Sequence, residues 1–189
     1  MFDKKYKFAV LFVAVLLVLG LTLPACTCQK PTETEKPPAT PGQPAALSFE
    51  AAEYVNADYG FSVKYPKEWL QQPNEEPTTV FYAAAEKRVP ALSIYVLDGA
   101  TFAEALTAAL SPAGSDIKIA TERTATLTDG TPASEAVVKW KVQGFGADTF
   151  AIGVQKGDKW VIVAITTVSL LEKYDEAKFS EIAHTLEFK

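Results

Sequence analysis

Few side chains in this 189-residue chain can do chemistry. His184 is the one histidine, and Cys26 and Cys28 are the two cysteines. A zinc site of nitrogen and sulfur ligands cannot be assembled from one histidine and two cysteines near the amino terminus. A Ser-His-Asp arrangement can be written around His184, but no nucleophile elbow accompanies it. There is no phosphate loop, no dinucleotide fingerprint and no calcium-loop spacing. The carboxylates have simpler readings. Asp98-Gly99, Asp129-Gly130 and Gly157-Asp158 are turn dipeptides, and Glu75-Glu76 between Pro73 and Pro77 reads as a solvated loop. Gly144-Phe-Gly146 punctuates another turn. His184 falls near a predicted helix end, where the helix dipole mildly favours a cation. No catalytic, cofactor-binding or metal-binding residue is therefore assigned, and no cofactor is expected. Carboxylates meeting in space are the remaining route to a hydrolase.

The cysteines belong to a different argument, about location. Lys4, Lys5 and Lys7 outweigh Asp3, which holds the start of the chain on the cytoplasmic side. The apolar block from Phe8 to Leu23 enters a bilayer as a short helix but falls short of the ~20 residues of a stable span. Leu23-Pro-Ala-Cys26 follows. A charged region, an apolar region and a small-residue site form an export signal. This order resembles the signal and lipobox of a bacterial lipoprotein, with Pro24 an unusual occupant of its position. The resemblance implies cleavage after Ala25 and attachment of diacylglycerol to the Cys26 thiol, with further acylation of the new amino group. Two acyl chains suffice for stable anchoring at ~0.8 kcal/mol per buried methylene. The alternative is an uncleaved signal anchor with Cys26 incidental. Cys28 reads as an unpaired thiol, a second acylation site or half of an intermolecular disulfide.

Residues 1–25 are thus expected to be a signal peptide, and residues 26–46 the lipidated cysteine and its tether. From Gln29 to Ala46 the chain is rich in proline and threonine and has no aliphatic periodicity. Such a segment buries too little apolar surface to offset its ordering entropy, so disorder is expected. Residues 47–189 are globular in pattern and match one domain. A domain of that size buries about two-thirds of its unfolded surface, with no metal or disulfide required. The formal charge of the full chain is −5. Loss of residues 1–25 removes three lysines and one aspartate and leaves −7. That excess repels an anionic membrane and lacks the basic stripe that nucleic acid needs.

Strand patterns dominate the domain. Phe61–Tyr65, Thr78–Tyr82, Leu92–Val96, Ile117–Leu127 and Thr149–Val154 read as strands, with turn residues between them. Ala136, Val138, Trp140 and Val142 form one apolar face, with Lys139, Lys141 and Gln143 opposite. Trp160 to Val168 is apolar on both faces and reads as a central strand. Thr101-Phe-Ala-Glu104 has the pattern of a capping box opening a helix that ends by Pro112. A second helix is predicted over about Tyr174 to Ala183, and Leu186 and Phe188 suggest a closing strand. Short links between strands favour a largely antiparallel sheet and the α+β class.

Tyr59-Gly-Phe-Ser-Val-Lys-Tyr-Pro-Lys-Glu-Trp69 carries a second resemblance. An aromatic-Gly-Phe strand, then Tyr-Pro, then a nearby Trp is similar to the opening of PsbP-like domains. The helix after Asp98-Gly99, the hairpin at Gly157-Asp-Lys-Trp160 and the closing Thr185-Leu-Glu-Phe188 follow in a similar order. The resemblance covers residues 47–189. It implies the α/β/α sandwich, with a central and largely antiparallel sheet, shared by PsbP-like and Ran-binding Mog-type proteins. It implies binding in place of catalysis and carries over no functional residue. The residues explain themselves as well: Gly60 suits a tight turn, Pro66 ends pairing, and Trp69 is expected to cap the open end of the core.

The sequence is therefore read as a non-catalytic, lipid-anchored binding or assembly module. It is expected outside the cell, on the outer face of the cytoplasmic membrane or on an outer membrane. Its expected partner is an envelope protein, with no nucleic acid. The alternative is a carrier or sensor of an apolar small molecule or lipid, and the third reading is an envelope hydrolase.

Overall fold

Alternation along the strands decides the layers. The computed structural model describes residues 46–74 and 76–189. The signal segment, Cys26, Cys28, the tether to residue 45 and Glu75 lie outside the described residues. The elements, in chain order, are β1 (Ala51–Asn56), β2 (Phe61–Pro66), β3 (Leu70–Gln71), β4 (Thr79–Ala84), β5 (Ala91–Asp98), helix α1 (Phe102–Leu110), β6 (Gly114–Thr126), β7 (Pro132–Val142), β8 (Phe145–Lys156), β9 (Lys159–Val168), helix α2 (Glu176–Ala183) and β10 (Glu187–Phe188). Seven strands form one sheet in the order β3-β4-β5-β9-β8-β7-β6, and three form a second, β1-β2-β10. Every pairing in both sheets is antiparallel.

The central place expected for the run from Trp160 is found. β9 lies between β5 and β8 and sends alternate side chains to opposite faces. Trp160, Ile162 and Ala164 join the core under α1, while Val161, Val163 and Ile165 join the core under α2 and the small sheet. A strand covered on both faces has no use for polar alternation, hence its continuous apolar sequence.

Helix α1 starts where the capping pattern places it. Thr101 is extended, and its Oγ1 accepts from the Glu104 amide at 3.2 Å. Among the described residues only that half of the box is formed. Phe102, Ala105, Leu106, Ala109 and Leu110 are buried against the sheet, as the spacing predicts. Gly153 makes the seat possible, since a Cβ there would stand 2.5 Å from the Phe102 ring. Trp140 and Trp160 are core aromatics on this face. Trp140 Nε1 donates to Thr149 Oγ1 at 2.9 Å, and Trp160 Nε1 to the Gly99 carbonyl at 3.1 Å.

The opposite layer differs from a plain sandwich, because α2 lies there beside the three-stranded sheet. β1 and β3 are absent from the sequence-level expectation for physical reasons. β1 alternates only between exposed and half-buried positions, so it lacks an apolar stripe, and β3 is two residues long. Helix α2 begins at Glu176, two residues later than predicted. Asp175 is extended and caps it by accepting from the Lys178 amide at 3.1 Å, which leaves Tyr174 outside the helix. Trp69 is buried within the core. At the β7–β8 turn, Gln143 and Gly144 have φ of 50° and 85°, the two left-handed residues of a tight hairpin.

Candidate functional site

The lone histidine sits in a row that resembles a hydrolytic triad. His184 caps the carboxyl end of α2. Its Nδ1 lies 3.2 Å from Ser180 Oγ, one helical turn earlier, and its Nε2 lies 3.4 Å from Glu135 Oε2 on β7. Glu135 is 7% exposed. Its other oxygen accepts from Arg123 Nε on β6, and Arg123 Nη2 reaches Glu176 Oε1 at 3.1 Å. The row therefore joins the edge hairpin β6–β7 to both ends of α2.

The details oppose nucleophile activation. His184 Nδ1 is also 2.9 Å from the Ser180 carbonyl oxygen. A carbonyl only accepts, so Nδ1 must carry the proton. A nitrogen that already donates cannot take the proton of Ser180 Oγ, which general-base activation requires. Nε2 then faces Glu135 Oε2 at 3.4 Å. Glu135 Oε2 otherwise has no hydrogen-bond partner. The row acts as a clasp between layers, with Arg123 supplying the compensating charge.

Tyr174 stands nearby on the loop before α2, edge-on to the Phe179 ring at 5.5 Å, and its buried hydroxyl has no partner. Burial first, then the charges of Glu176 and Asp148, push its phenol well above the ordinary tyrosine range, against the pull of Arg123. The Asp129 carboxylate shows the opposite balance. Burial opposes its ionisation, but bonds from Thr131 and the Phe188 amide, together with the Lys156 charge, hold it below the usual range. Asp129 is thus more than turn punctuation, because it ties the β6–β7 turn to β10.

Sequence reading missed Glu135 and Arg123. In the sequence, Lys139, Lys141 and Gln143 mark one face of β7 as solvated. Glu135 shares their phase, but α2 covers that half of the strand. A single carboxylate four residues before an exposed lysine in the same phase was the available signal, and it was weak. Among the described residues, no group of three or more His, Cys, Asp or Glu side chains is placed to hold a metal ion. No described helix is long and apolar enough to cross a membrane. Cys26 lies outside the described residues.

The described depressions are shallow and open to solvent. One of about 510 Å³ lies between Asp148 and the loop from Ser169 to Tyr174. Another of about 410 Å³ lies beside Trp160 and Pro132. The largest apolar side chains, among them Phe61, Phe150, Phe179 and Leu106, are fully buried in the two cores. Among the described residues, the exposed large apolar side chains are Leu70, Phe145, Leu170 and Leu171, with Val55 and Tyr59 elsewhere.

No protein family is matched by the sequence, and no curated protein sequence matches it. Similarity appears in three dimensions. The solution structure of cyanobacterial PsbP (CyanoP) from Synechocystis sp. PCC 6803 superposes with a TM-score of 0.56 at 13% identity, covering 82% of this chain and 100% of that one. The Saccharomyces cerevisiae Ran-binding protein Mog1p superposes with a TM-score of 0.51 at 9% identity, covering 75% of this chain and 96% of that one. At such identities the likeness concerns fold alone. The expectation raised by Tyr59–Trp69 is met at that level, and this chain has the α+β fold of PsbP and Mog1p.

Proposed function

We propose that this protein is a lipid-anchored, extracytoplasmic binding or assembly module of the cell envelope, held by Cys26 and without catalytic activity of its own. The observation that carries this reading is the closed interior. Both cores are filled by their own side chains, and the described depressions are shallow. That favours recognition on the outside, as in protein–protein contact, over an apolar pocket that holds a carried molecule. The Ser180–His184–Glu135 row offers no free base for its hydroxyl, which supports binding over hydrolysis at this site. Mog1p is a Ran-binding protein, so the fold is compatible with a protein partner.

The test is mass spectrometry on protein extracted from its own membranes in mild detergent. The processed amino-terminal peptide should begin at Cys26 and carry acyl chains. The native complex should show a co-purifying protein and no stoichiometric small molecule. An unacylated Cys26 overturns the anchor. A bound small molecule in constant stoichiometry overturns the binding-module reading in favour of a carrier.

A further inference from the structure

We propose that one rim of the seven-stranded sheet, carrying Leu70, Phe145, Leu170 and Leu171, is a membrane-facing surface that seats these side chains in the headgroup–acyl boundary of a bilayer. The inference rests on the Cys26 anchor for its proximity to lipid.

The register places the four residues together. Leu70 pairs with Ala84, Ala84 with Ala91, and Ala91 with Thr166 near the end of β9. Val168 pairs with Ala147, and Phe145 opens β8 beside Val142. The Ser169 amide donates to the Gly146 carbonyl at 2.9 Å, which locks the Leu170-Leu171 loop to the Phe145 hairpin. The side chains are 62%, 52%, 74% and 59% exposed in chain order. From β3 to β8 is four strand spacings, about 19 Å. They are separated points along one edge, not the lining of a pocket. Four side chains also fall well short of the ~800 Å² per partner of a standard protein interface. They suit a second, weak membrane contact beside acyl chains, since stable attachment combines two signals.

Charge permits the approach at this rim. Residues 46–189 carry 13 Lys and Arg against 20 Asp and Glu, a net −7. At the rim Lys67, Lys87, Arg88, Lys139, Lys141 and Lys173 stand against Glu50, Glu68, Glu86, Asp116, Asp148 and Glu172, six of each sign. Lys141 pairs with Asp116 at 2.8 Å, Lys139 with Asp148 at 3.1 Å and Lys67 with Glu50 at 2.6 Å, while the β4–β5 turn sets Lys87 and Arg88 against Glu86. The acidic excess therefore lies away from this surface, and repulsion orients the domain with the rim toward the bilayer.

The chain outside the described residues joins at a compatible place. β1 starts at Ala51 opposite Pro66, four residues before Leu70, and the Lys67 amide bonds the Glu50 carbonyl. Nineteen residues lie between Cys26 and Ala46. At ~3.1 Å per residue they reach roughly 60 Å when extended, so the rim touches the bilayer with slack to spare.

The experiment uses full-length protein with its native amino terminus, reconstituted into phosphatidylcholine–phosphatidylglycerol vesicles containing a diazirine-bearing phospholipid. After photolysis, peptides are mapped by mass. Adducts are expected on the peptides holding Leu70, Phe145 and Leu170-Leu171, at several times the level on those holding Val55 and Tyr59. In F145S/L170S/L171S the rim adducts should fall several-fold while those on the amino-terminal peptide stay constant. Adducts confined to the amino-terminal peptide, or as frequent at Val55 and Tyr59 as at the rim, overturn the proposal. So does rim labelling unchanged by the triple substitution. The acyl mass on Cys26, read from the same digest, reports separately whether the anchor itself is present.

Discussion

Against α1 the seven-stranded sheet presents Ala136, Val138, Trp140, Trp160 and Ile162, and the two indole nitrogens donate to Thr149 and Gly99. Against α2 and the small sheet it presents Phe150, Ile152, Val163 and Ile165, but also the carboxylate of Glu135. The two buried side-chain atoms without a hydrogen-bond partner, Glu135 Oε2 and Tyr174 OH, both belong to this second side. The first face is held by shape: Gly153 clears space for the Phe102 ring, and among the described residues α1 has no ion pair with the sheet. The second face adds charge to shape, through Arg123, Glu135, Glu176 and His184. An apolar seat depends on volume, whereas a charged clasp depends on the presence of each partner.

The largest effect should come from the face held by shape. Leu106 is fully buried between α1 and the sheet. Leu106→Ala should cost about 2–5 kcal/mol through lost transfer energy and the cavity left behind. A urea titration followed by tryptophan fluorescence measures it, and an unchanged midpoint would show that α1 is loosely seated. The clasp comes next. Glu135→Gln keeps the shape but leaves Arg123 facing a neutral amide and deprives His184 Nε2 of its charged neighbour. Arg123 is half exposed and falls back on water, so the expected cost is about 1–3 kcal/mol, below that of a fully buried broken pair. A loss equal to that of Leu106→Ala would mean that charge matters as much on the second face as volume on the first.

The same contrast explains what was legible in the sequence. Apolar periodicity reports burial, so α1, β9 and the even-numbered face of β7 were readable from residue spacing. Thr101 marked its helix start because an extended hydroxyl residue before an apolar period has few other uses. Polar contacts across layers carry no such period. Glu135, Arg123 and His184 are separated by up to 61 positions, and nothing in their spacing says that α2 lies over β7. β1 was missed for the related reason that it covers a rim and is nowhere fully buried. The proposed lipid attachment at Cys26 rests on a pattern of residue types alone, and the Ser180–His184 pair becomes interpretable only once the Ser180 carbonyl claims the ring proton.

A smaller effect separates packing from hydrogen bonding within the first face. Trp140→Phe retains most of the ring but loses the bond to Thr149, whose hydroxyl keeps its 2.8 Å contact with Thr166. The expected cost is about 0.5–1.5 kcal/mol, measured by the same titration. If the loss approached that of Leu106→Ala, the face would depend on the Trp140–Thr149 hydrogen bond more than on volume.

The smallest effect is confined to acid. Asp129 holds β10 by accepting from the Phe188 amide at 3.2 Å, and Lys156 lies 4.3 Å above the Phe188 ring. Because its folded-state pKa is depressed, the ionised Asp129 stabilises the fold fully above the ordinary carboxylate value of ~3.9, and that contribution disappears as the pH falls through the lower folded value. Asp129→Asn should therefore lower the melting temperature slightly at neutral pH, and the gap from the wild type should close on acidification below about pH 4. The carboxylate is exposed, so solvent screening keeps the change small. Amide exchange at Phe188 should quicken in the variant at neutral pH, while exchange at α1 stays unchanged. Faster exchange at both would mean that β10 stabilises the whole sheet and that the two faces unfold as one.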